Sequence, residues 1–111
     1  MVVQTDETLD IDRLFHALAD RTRRDIVLST MREGQSVSTL AARYDMSFAA
    51  VQKHVAVLET ALLVTKQRRG REQVVSGNVE AVRRAEALLK AYEQVWRDRA
   101  DRIEDILKEE Q

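Results

Sequence analysis

The chain has 111 residues, of which 33% are charged and 5% aromatic, with three glycines, no proline and no cysteine. This length suits a single domain with a modest core. The lack of cysteine excludes disulfides, thiolate nucleophiles and sulfur ligands for soft metals. No apolar run is longer than four residues, so none could span a bilayer, and the acidic start is unlike a signal peptide. We therefore expect a mainly helical protein of the cytoplasm with no membrane partner.

The net charge of -1 hides an uneven distribution. Residues 1–42 carry five basic and seven acidic groups, and residues 80–111 carry seven basic and nine acidic groups. Residues 43–73 carry six basic groups against three acidic ones, a local charge of +3. Because local fields rather than total charge decide where a polyanion docks, the middle of the chain is the candidate surface.

Two helices are predicted after a polar tail over residues 1–10. From Ile11 the apolar residues follow helical spacing as far as Leu18. Asp20 has the chemistry of an N-cap for a second helix, which Gly34 is expected to end. The predicted buried residues of this second helix are Ile26, Val27, Thr30 and Met31.

The next segment has the pattern of a helix-turn-helix. Ser36 or Ser38 is expected to cap a short helix, and Asp45 begins a tight break. Ser47 then caps a second, basic helix. Two short helices joined by a few residues, the second one basic, are typical of this motif. The inward positions are predicted to be Leu40, Ala41 and Tyr44 on the first helix and Val51, Val55 and Leu58 on the second.

Two β-prone stretches, residues 64–67 and 73–75, flank a turn over residues 68–72 that holds one glycine and three arginines. Such a hairpin directly after a helix-turn-helix would form a wing. The alternative is a solvated charged loop, since most charge runs are only that. The preceding basic helix favours the wing.

From the expected cap at Asn78, apolar residues at steps of three and four predict a helix of about 30 residues, roughly 45 Å long. A small domain can cover only part of such a helix, so the remainder requires a partner, and a second copy is the simplest one. The alternative is that the whole face folds back on its own domain. The seam consists of Val82, Ala85, Leu89, Tyr92, Trp96, Arg99, Ile103 and Ile106.

These segments resemble, in order, the motifs of ArsR-type winged helix-turn-helix repressors. The chain is similar to the cysteine-free branch, which does not sense metals. The resemblance extends from about Leu14 to the C-terminal helix, and it rests on several motifs together. They are residues 18–28 (LADRTRRDIVL), 36–41 (SVSTLA), 46–59 (MSFAAVQKHVAVLE), 63–64 (LV), 68–71 (RRGR) and 92–96 (YEQVW).

The chain departs from the family pattern at a few positions. Arg21 replaces a proline at the start of a helix, and Gln52 stands at a usual serine position. The second wing strand lacks the family's tyrosines. Leu62 occupies a usual glycine position, where a left-handed backbone would cost about 1 kcal/mol, so we expect the helix to end differently there.

The resemblance implies a mainly α fold with a small β-hairpin wing. The implied organisation is a winged helix-turn-helix DNA-binding domain over residues 11–77 and a dimerisation helix over residues 78–111. The expected dimer contacts are Leu14, Leu89, Tyr92, Trp96, Ile103 and Ile106. The implied partners are double-stranded DNA and a second copy of the chain. The implied function is repression at a palindromic operator, often that of the regulator's own gene.

The same resemblance places the helix after Ser47 in the major groove. Its chemistry fits, because the Gln52 amide can pair with adenine and the Ala49 methyl can meet thymine. Lys53, His54 and Arg43 suit phosphates, while a half-buried His54 is the alternative. Ser47 is expected mainly to cap. The full expected DNA-binding set is Arg43, Ser47, Phe48, Ala49, Gln52, Lys53, His54, Arg68, Arg69 and Arg71.

Other functions receive little support. The chain has two histidines, and both lie outside the C-terminal helix where metal-sensing relatives bind, so we expect neither a metal nor a cofactor. Met31, Met46, Tyr92 and Trp96 are interpreted as packing residues, and an effector is left unassigned. No glycine-rich loop or oxyanion site suggests an enzyme. The competing hypothesis is a homodimeric adaptor that does not bind DNA.

For Arg23 and Arg24 we expect salt bridges to Asp20, Asp25 or the C-terminal helix, because paired arginines oppose the dipole of a first turn.

Overall fold

A computed structural model describes residues 6–110, with side chains from Asp10 onward. Its elements are α1 (Asp6–Leu18), α2 (Arg21–Arg32), β1 (Gln35–Ser36), α3 (Val37–Tyr44), α4 (Phe48–Thr60), β2 (Val64–Arg69), β3 (Glu72–Gly77) and α5 (Val79–Glu109). Helices dominate, and the three short strands form one sheet in the order β1-β3-β2. The predicted fold class, mainly α with a hairpin wing and a long C-terminal helix, is confirmed.

The first helix begins at Asp6, five residues before the expected boundary at Ile11. The predicted polar tail is therefore helical over its second half, while residues 1–5 lie outside the described part of the chain. Leu14 and Ala17 from this helix are fully buried. The expected dimer contact at Leu14 is wrong, because its side chain is only 1% exposed and packs in the protomer's own core.

The predicted N-caps are confirmed. Asp20 accepts from the Arg23 backbone N–H at 3.0 Å, and this hydrogen bond is the main reason that the pKa of Asp20 is lowered from its ordinary value. Ser36, rather than Ser38, caps α3 by accepting from the Thr39 N–H at 3.1 Å. Ser47 caps α4 in the same way through the Ala50 N–H. These caps satisfy amides that have no partner within the helix.

Arg23 and Arg24 bind backbone carbonyls instead of the carboxylates expected from the sequence. Arg23 Nε donates to Ala17 O at 2.7 Å, and Arg24 Nη1 donates to Leu18 O at 2.9 Å. Both acceptors lie in the last turn of α1, where carbonyls lack intrahelical partners and the helix dipole is negative. The two arginines therefore close the end of the preceding helix.

The core sits where α1, α2, α3 and α4 meet the sheet. Every predicted inward residue of α4 is buried, and Leu40 of α3 is buried too. Met31 of α2 is 36% exposed, contrary to expectation. Gly34, which was expected to end α2, has no positive φ. The last residue of α2 is Arg32, and its C-cap, Glu33, already has an extended backbone. The largest fully buried side chains are Leu14, Ile26, Leu40, Leu58, Leu63, Val37, Val51, Val55, Val64 and Val75.

The hairpin of β2 and β3 is the predicted wing. Its register pairs Val64 with Gly77 and Arg69 with Glu72, which leaves a two-residue turn of Gly70 and Arg71. Gly70 has φ 62°, and a glycine at the first position of such a turn matches the twist of the strands. Strand β1 was not predicted; its residues Gln35 and Ser36 pair with the other edge of β3.

Helix α4 ends in a left-handed residue despite the lack of glycine. Leu62 has φ 62°, and its N–H donates to Glu59 O while the Leu63 N–H donates to Leu58 O, each at 3.0 Å. This pair of bonds defines a Schellman motif. Asn78 Nδ2 donates to Leu62 O at 2.9 Å, which ties the end of α4 to the start of α5. The expectation that the helix would end differently is wrong.

Helix α5 has 31 residues and begins at the predicted cap, Asn78. Its first turns pack on the domain through Ala81 and Ala85, and Arg84 Nη2 donates to Asp10 Oδ2 of α1 at 3.1 Å. Beyond residue 88 every residue with described burial is exposed. The alternative in which this face folds back on its own domain is therefore wrong. No helix within residues 6–110 combines the length and apolarity needed to cross a membrane.

Candidate nucleic-acid interface

The N-terminal half of α4 is presented on the surface beside the wing. Phe48 is 51% exposed, and Ser47, Ala49 and Lys53 are also exposed. The opposite side of the same helix carries the buried residues of the core. The buried face of α4 thus packs against the core, while the opposite face of its first two turns can contact a partner.

A groove of about 280 Å³ separates this helix from the wing. It brings together four of the residues predicted to bind DNA, namely Phe48 and Gln52 of α4 with Arg68 and Arg71 of the hairpin. Its third wall is the start of α3. The groove residues that sequence reasoning did not assign to this site are Ser36, Val37, Ser38, Glu72 and Gln73.

Gln73 is the most informative of these missed residues. Its Oε1 accepts a hydrogen bond of 3.1 Å from Nε2 of Gln52 on the predicted recognition helix. The two residues are 21 positions apart, and no motif in the sequence links them. The contact depends on how the wing packs beside α4, which the sequence does not show.

Two predicted DNA-binding residues outside the groove lie near carboxylates of the domain. His54 does not join the exposed face, because its side chain is only 21% exposed and its Nδ1 lies 4.0 Å from Asp20 Oδ2. The half-buried alternative is therefore the one observed. Arg43 is exposed, but its guanidinium lies 3.6 Å from the Asp25 carboxylate.

Asp25 also accepts a hydrogen bond of 2.6 Å from the Tyr44 hydroxyl. The pKa of Tyr44 is raised above its ordinary value, chiefly because the hydroxyl is partly buried and secondly because of this hydrogen bond. The last residue of α3 is thereby tied to α2.

The wing tip carries the remaining positive charge. Arg68, Arg69 and Arg71 are all exposed, and Arg69 is paired in register with Glu72. Arg68 Nε donates to Gly70 O at 3.3 Å, which holds its side chain along the turn. Three guanidinium groups around one tight turn suit contacts with phosphates or with a narrow minor groove.

The described residues offer little for other chemistry. Among residues 6–110 there is no group of three or more histidine, cysteine, aspartate or glutamate residues placed to hold a metal ion. A helix supported by a core, with an exposed N-terminal half next to a basic hairpin, is the arrangement of a winged helix-turn-helix DNA-binding protein.

Comparison with known proteins agrees with this class. The chain is 36% identical over 80 residues to an uncharacterized HTH-type transcriptional regulator, YuzN, of Bacillus subtilis, a match covering 65% of this chain and 86% of that relative. An ArsR-like transcriptional regulator from Rhodococcus sp. RHA1 is 27% identical and superposes with a TM-score of 0.81 over 96% of this chain and 97% of that one. No protein-family model matches the chain.

A third structure shares the fold at 23% identity, with a TM-score of 0.64 over 85% of this chain and 91% of the other. It is the homodimeric winged helix-turn-helix DNA-binding domain of a possible ArsR-family regulator from Mycobacterium bovis. This chain belongs to the ArsR family of winged helix-turn-helix, DNA-binding transcriptional regulators. Because the members of this family are DNA-binding regulators, the chain is not an enzyme. The competing hypothesis of an adaptor that does not bind DNA is not supported.

Proposed function

We propose that this regulator is a repressor that binds as a homodimer to a palindromic operator, including that of its own gene, in the cytoplasm. The observation that carries the proposal is the groove in which the exposed half of α4 faces two wing arginines. A protein occupying promoter DNA in this way would exclude polymerase.

The residues divide into base readers and phosphate contacts. Gln52 offers an amide suited to adenine, and the Ala49 methyl suits the methyl group of thymine. Both lie on the half of α4 that enters the major groove. Phe48 lies beside them and adds apolar contact. These contacts would specify sequence, whereas charged contacts would set register and affinity.

Phosphate contacts come from both sides of the groove. Lys53 reaches the phosphates of the DNA strand beside α4. Arg68 and Arg71 reach those of the DNA strand beside the wing, and Arg69 is directed to the flanking minor groove. Ser47 presents a capped helix N-terminus, which favours a phosphate. Arg43 adds a further phosphate contact, because its exposed pairing with Asp25 at 3.6 Å is too weak to withhold it.

The dimer is proposed from the exposed face of α5. Leu89, Tyr92, Trp96, Ile103 and Ile106 are between 48% and 64% exposed. Their spacing forms one seam along the helix, and water contact along such a seam is unfavourable. The homodimeric neighbour with the same fold supports a second copy as the occupant.

An antiparallel arrangement of two α5 helices accounts for the seam. Gln94 is the middle residue of the 31-residue helix. A twofold axis at Gln94 places Tyr92 against Trp96 of the partner subunit and Val82 against Ile106 of the partner subunit. Antiparallel coiled coils bring alternate core positions together in this manner. Val82 and Ile106 are 24 residues apart, which separates the two domains by about 36 Å along the helix, close to one turn of DNA.

The same arrangement covers an exposed apolar groove of about 360 Å³ between α2 and the start of α5. Leu28 is 52% exposed there, and Val79 is 44% exposed. The end of the partner's α5, with its own exposed isoleucines and leucine, lies opposite this groove in the antiparallel register. The groove is lined by Leu18, Arg24, Val27, Leu28, Met31, Val79 and Val82.

DNA binding is tested by fluorescence anisotropy with labelled duplex from upstream of the gene, at several salt concentrations and against a scrambled duplex. A slope of about -5 to -9 in log affinity against log salt is expected for six to ten phosphate contacts. Arg71→Ala removes one phosphate contact from each of the two protomers, so it should weaken binding to both duplexes and reduce the slope by about 2. Arg83→Ala, an exposed arginine of α5, is the matched control. Failure of the protein to bind any duplex at low salt would refute the proposal.

The dimer is tested with engineered cysteines, since the wild-type chain has none. Proteins with Val82→Cys and with Ile106→Cys are oxidised separately and after mixing under conditions that allow subunits to exchange. Antiparallel pairing predicts a disulfide only in the mixture, and Arg97→Cys, off the seam, should not crosslink with either. Crosslinking of each protein with itself would indicate parallel helices, and no crosslinking would refute pairing along α5.

A further inference from the structure

The hydrogen bond between Gln52 and Gln73 joins the helix that faces DNA to the wing. Gln52 Nε2 donates to Gln73 Oε1 at 3.1 Å, and both side chains are half-buried in the groove between the two elements. It is an amide-to-amide contact between side chains that each have further hydrogen-bonding capacity.

Reading adenine requires a defined orientation of the Gln52 amide. The carbonyl oxygen must accept from N6 of the base while the amide nitrogen donates to N7. An amide that is free to rotate about its last bond presents the two groups in either order. The bond to Gln73 occupies one N–H and holds Nε2 toward the wing. It leaves the second N–H and Oε1 available to a base.

Gln73 is itself held firmly by the sheet. Side chains alternate along a strand, so Gln73 lies on the same face of β3 as Val75. Val75 is fully buried in the core. β3 pairs with β2 at Gln73 and with both neighbouring strands at Val74 and Val75. The acceptor for Gln52 therefore lies directly beside the part of the wing that is anchored in the core and paired on both edges.

We propose that Gln73 is a positioning residue for sequence readout: it orients the Gln52 amide and so determines which base the recognition helix prefers. The inference rests on the proposed function, because it assigns the mechanism by which Gln52 reads DNA. Gln73 need not touch DNA for this role. It acts on discrimination between bases, while the arginines of the wing act on affinity.

The test compares discrimination with affinity. A preferred duplex is selected by the wild-type protein from a randomised pool, and anisotropy then measures binding to it and to each single base-pair variant. Gln73→Ala should reduce discrimination at one base pair in each half-site by about two- to tenfold, the usual worth of one hydrogen bond. Discrimination at other positions and the salt dependence should remain unchanged.

Two further variants separate positioning from a structural effect. Gln73→Glu keeps an oxygen that accepts from Gln52, so discrimination should be retained while binding to all duplexes weakens through phosphate repulsion. Gln67→Ala removes another wing glutamine, which is exposed on β2, and serves as the matched control. In a Gln52→Ala background, Gln73→Ala should have no further effect on discrimination.

The possible outcomes distinguish this inference from the proposed function. If Gln52→Ala reduces discrimination but Gln73→Ala leaves it intact or weakens all duplexes equally, positioning by Gln73 is refuted while readout by Gln52 stands. If Gln52→Ala leaves discrimination unchanged, both readout by Gln52 and positioning by Gln73 are refuted. Loss of discrimination in Gln73→Glu as well as in Gln73→Ala would also refute the role of the acceptor.

Discussion

Leu62 offers the sharpest test of backbone strain in this fold. Its φ of 62° puts a branched side chain in the left-handed region at the end of α4. For a residue with a Cβ this conformation costs roughly 1–2 kcal/mol. Two Schellman hydrogen bonds and the bond from Asn78 hold the backbone there. Replacement by glycine should release this strain.

The expected size follows from comparing glycine with alanine at the same position. Leu62 is 47% exposed, so either replacement loses about half the value of a buried leucine, or about 1 kcal/mol. Only glycine removes the strain, so we expect Leu62→Gly to exceed Leu62→Ala in stability by about 1 kcal/mol. This difference corresponds to about 4 °C in Tm for a domain of this size.

The assay is urea unfolding followed by circular dichroism at one fixed protomer concentration, because self-association would change the apparent stability. Ala56→Gly, at an exposed interior position of the same helix, is the control and should lose about 1 kcal/mol relative to the wild type. We therefore expect alanine to be more stable than glycine at position 56, and glycine to be more stable than alanine at position 62. If Leu62→Ala were as stable as Leu62→Gly, the argument from left-handed strain would be refuted.

Three other perturbations test the packing and the caps. Arg23→Met should cost about 1 kcal/mol through loss of the bond to Ala17 O, measured by urea unfolding; no loss would mean that this cap adds nothing. Gly77→Ala should cost about 1–3 kcal/mol in the same assay, because an added Cβ would lie 2.8 Å from Met31 Cα; wild-type stability would contradict this close approach. Asp20→Asn tests pH dependence. The pKa of Asp20 is lowered from 3.8 in the folded state, so its stabilisation is present above pH 3.8 and is lost as pH falls through the folded value. The wild type should therefore approach Asp20→Asn in stability in acid, and a gap that is constant with pH would refute the assignment.

The elements of this protein could be predicted because their signals are local. Asp20, Ser47 and Asn78 each cap a helix through an amide two or three residues further along the chain. Helical spacing identified the core residues of α4, and one glycine between β-prone stretches identified the wing. Such interactions depend on neighbours in the sequence, so the sequence shows them directly.

Tertiary structure decided which of several available partners each side chain contacts. Helical spacing places Leu14 on the apolar face of its helix, but only the packing shows that this face contacts the protomer's own core. Arg23 bonds to carbonyls of α1 because the turn at Asp20 brings that helix end beside it. Strand β1, with two residues, is too short to leave a periodic signal, and it exists because β3 offers a free edge.

The site shows the same division. The types of residue proposed to contact DNA were evident from the sequence, since glutamine and arginine on a basic helix and hairpin have recognisable chemistry. Their arrangement was not, because His54 turns to Asp20 and Gln52 bonds to Gln73 across 21 residues. Local spacing and capping determined the elements, while contacts between residues distant in the chain, which follow only from how the elements pack, decided what each functional side chain can reach.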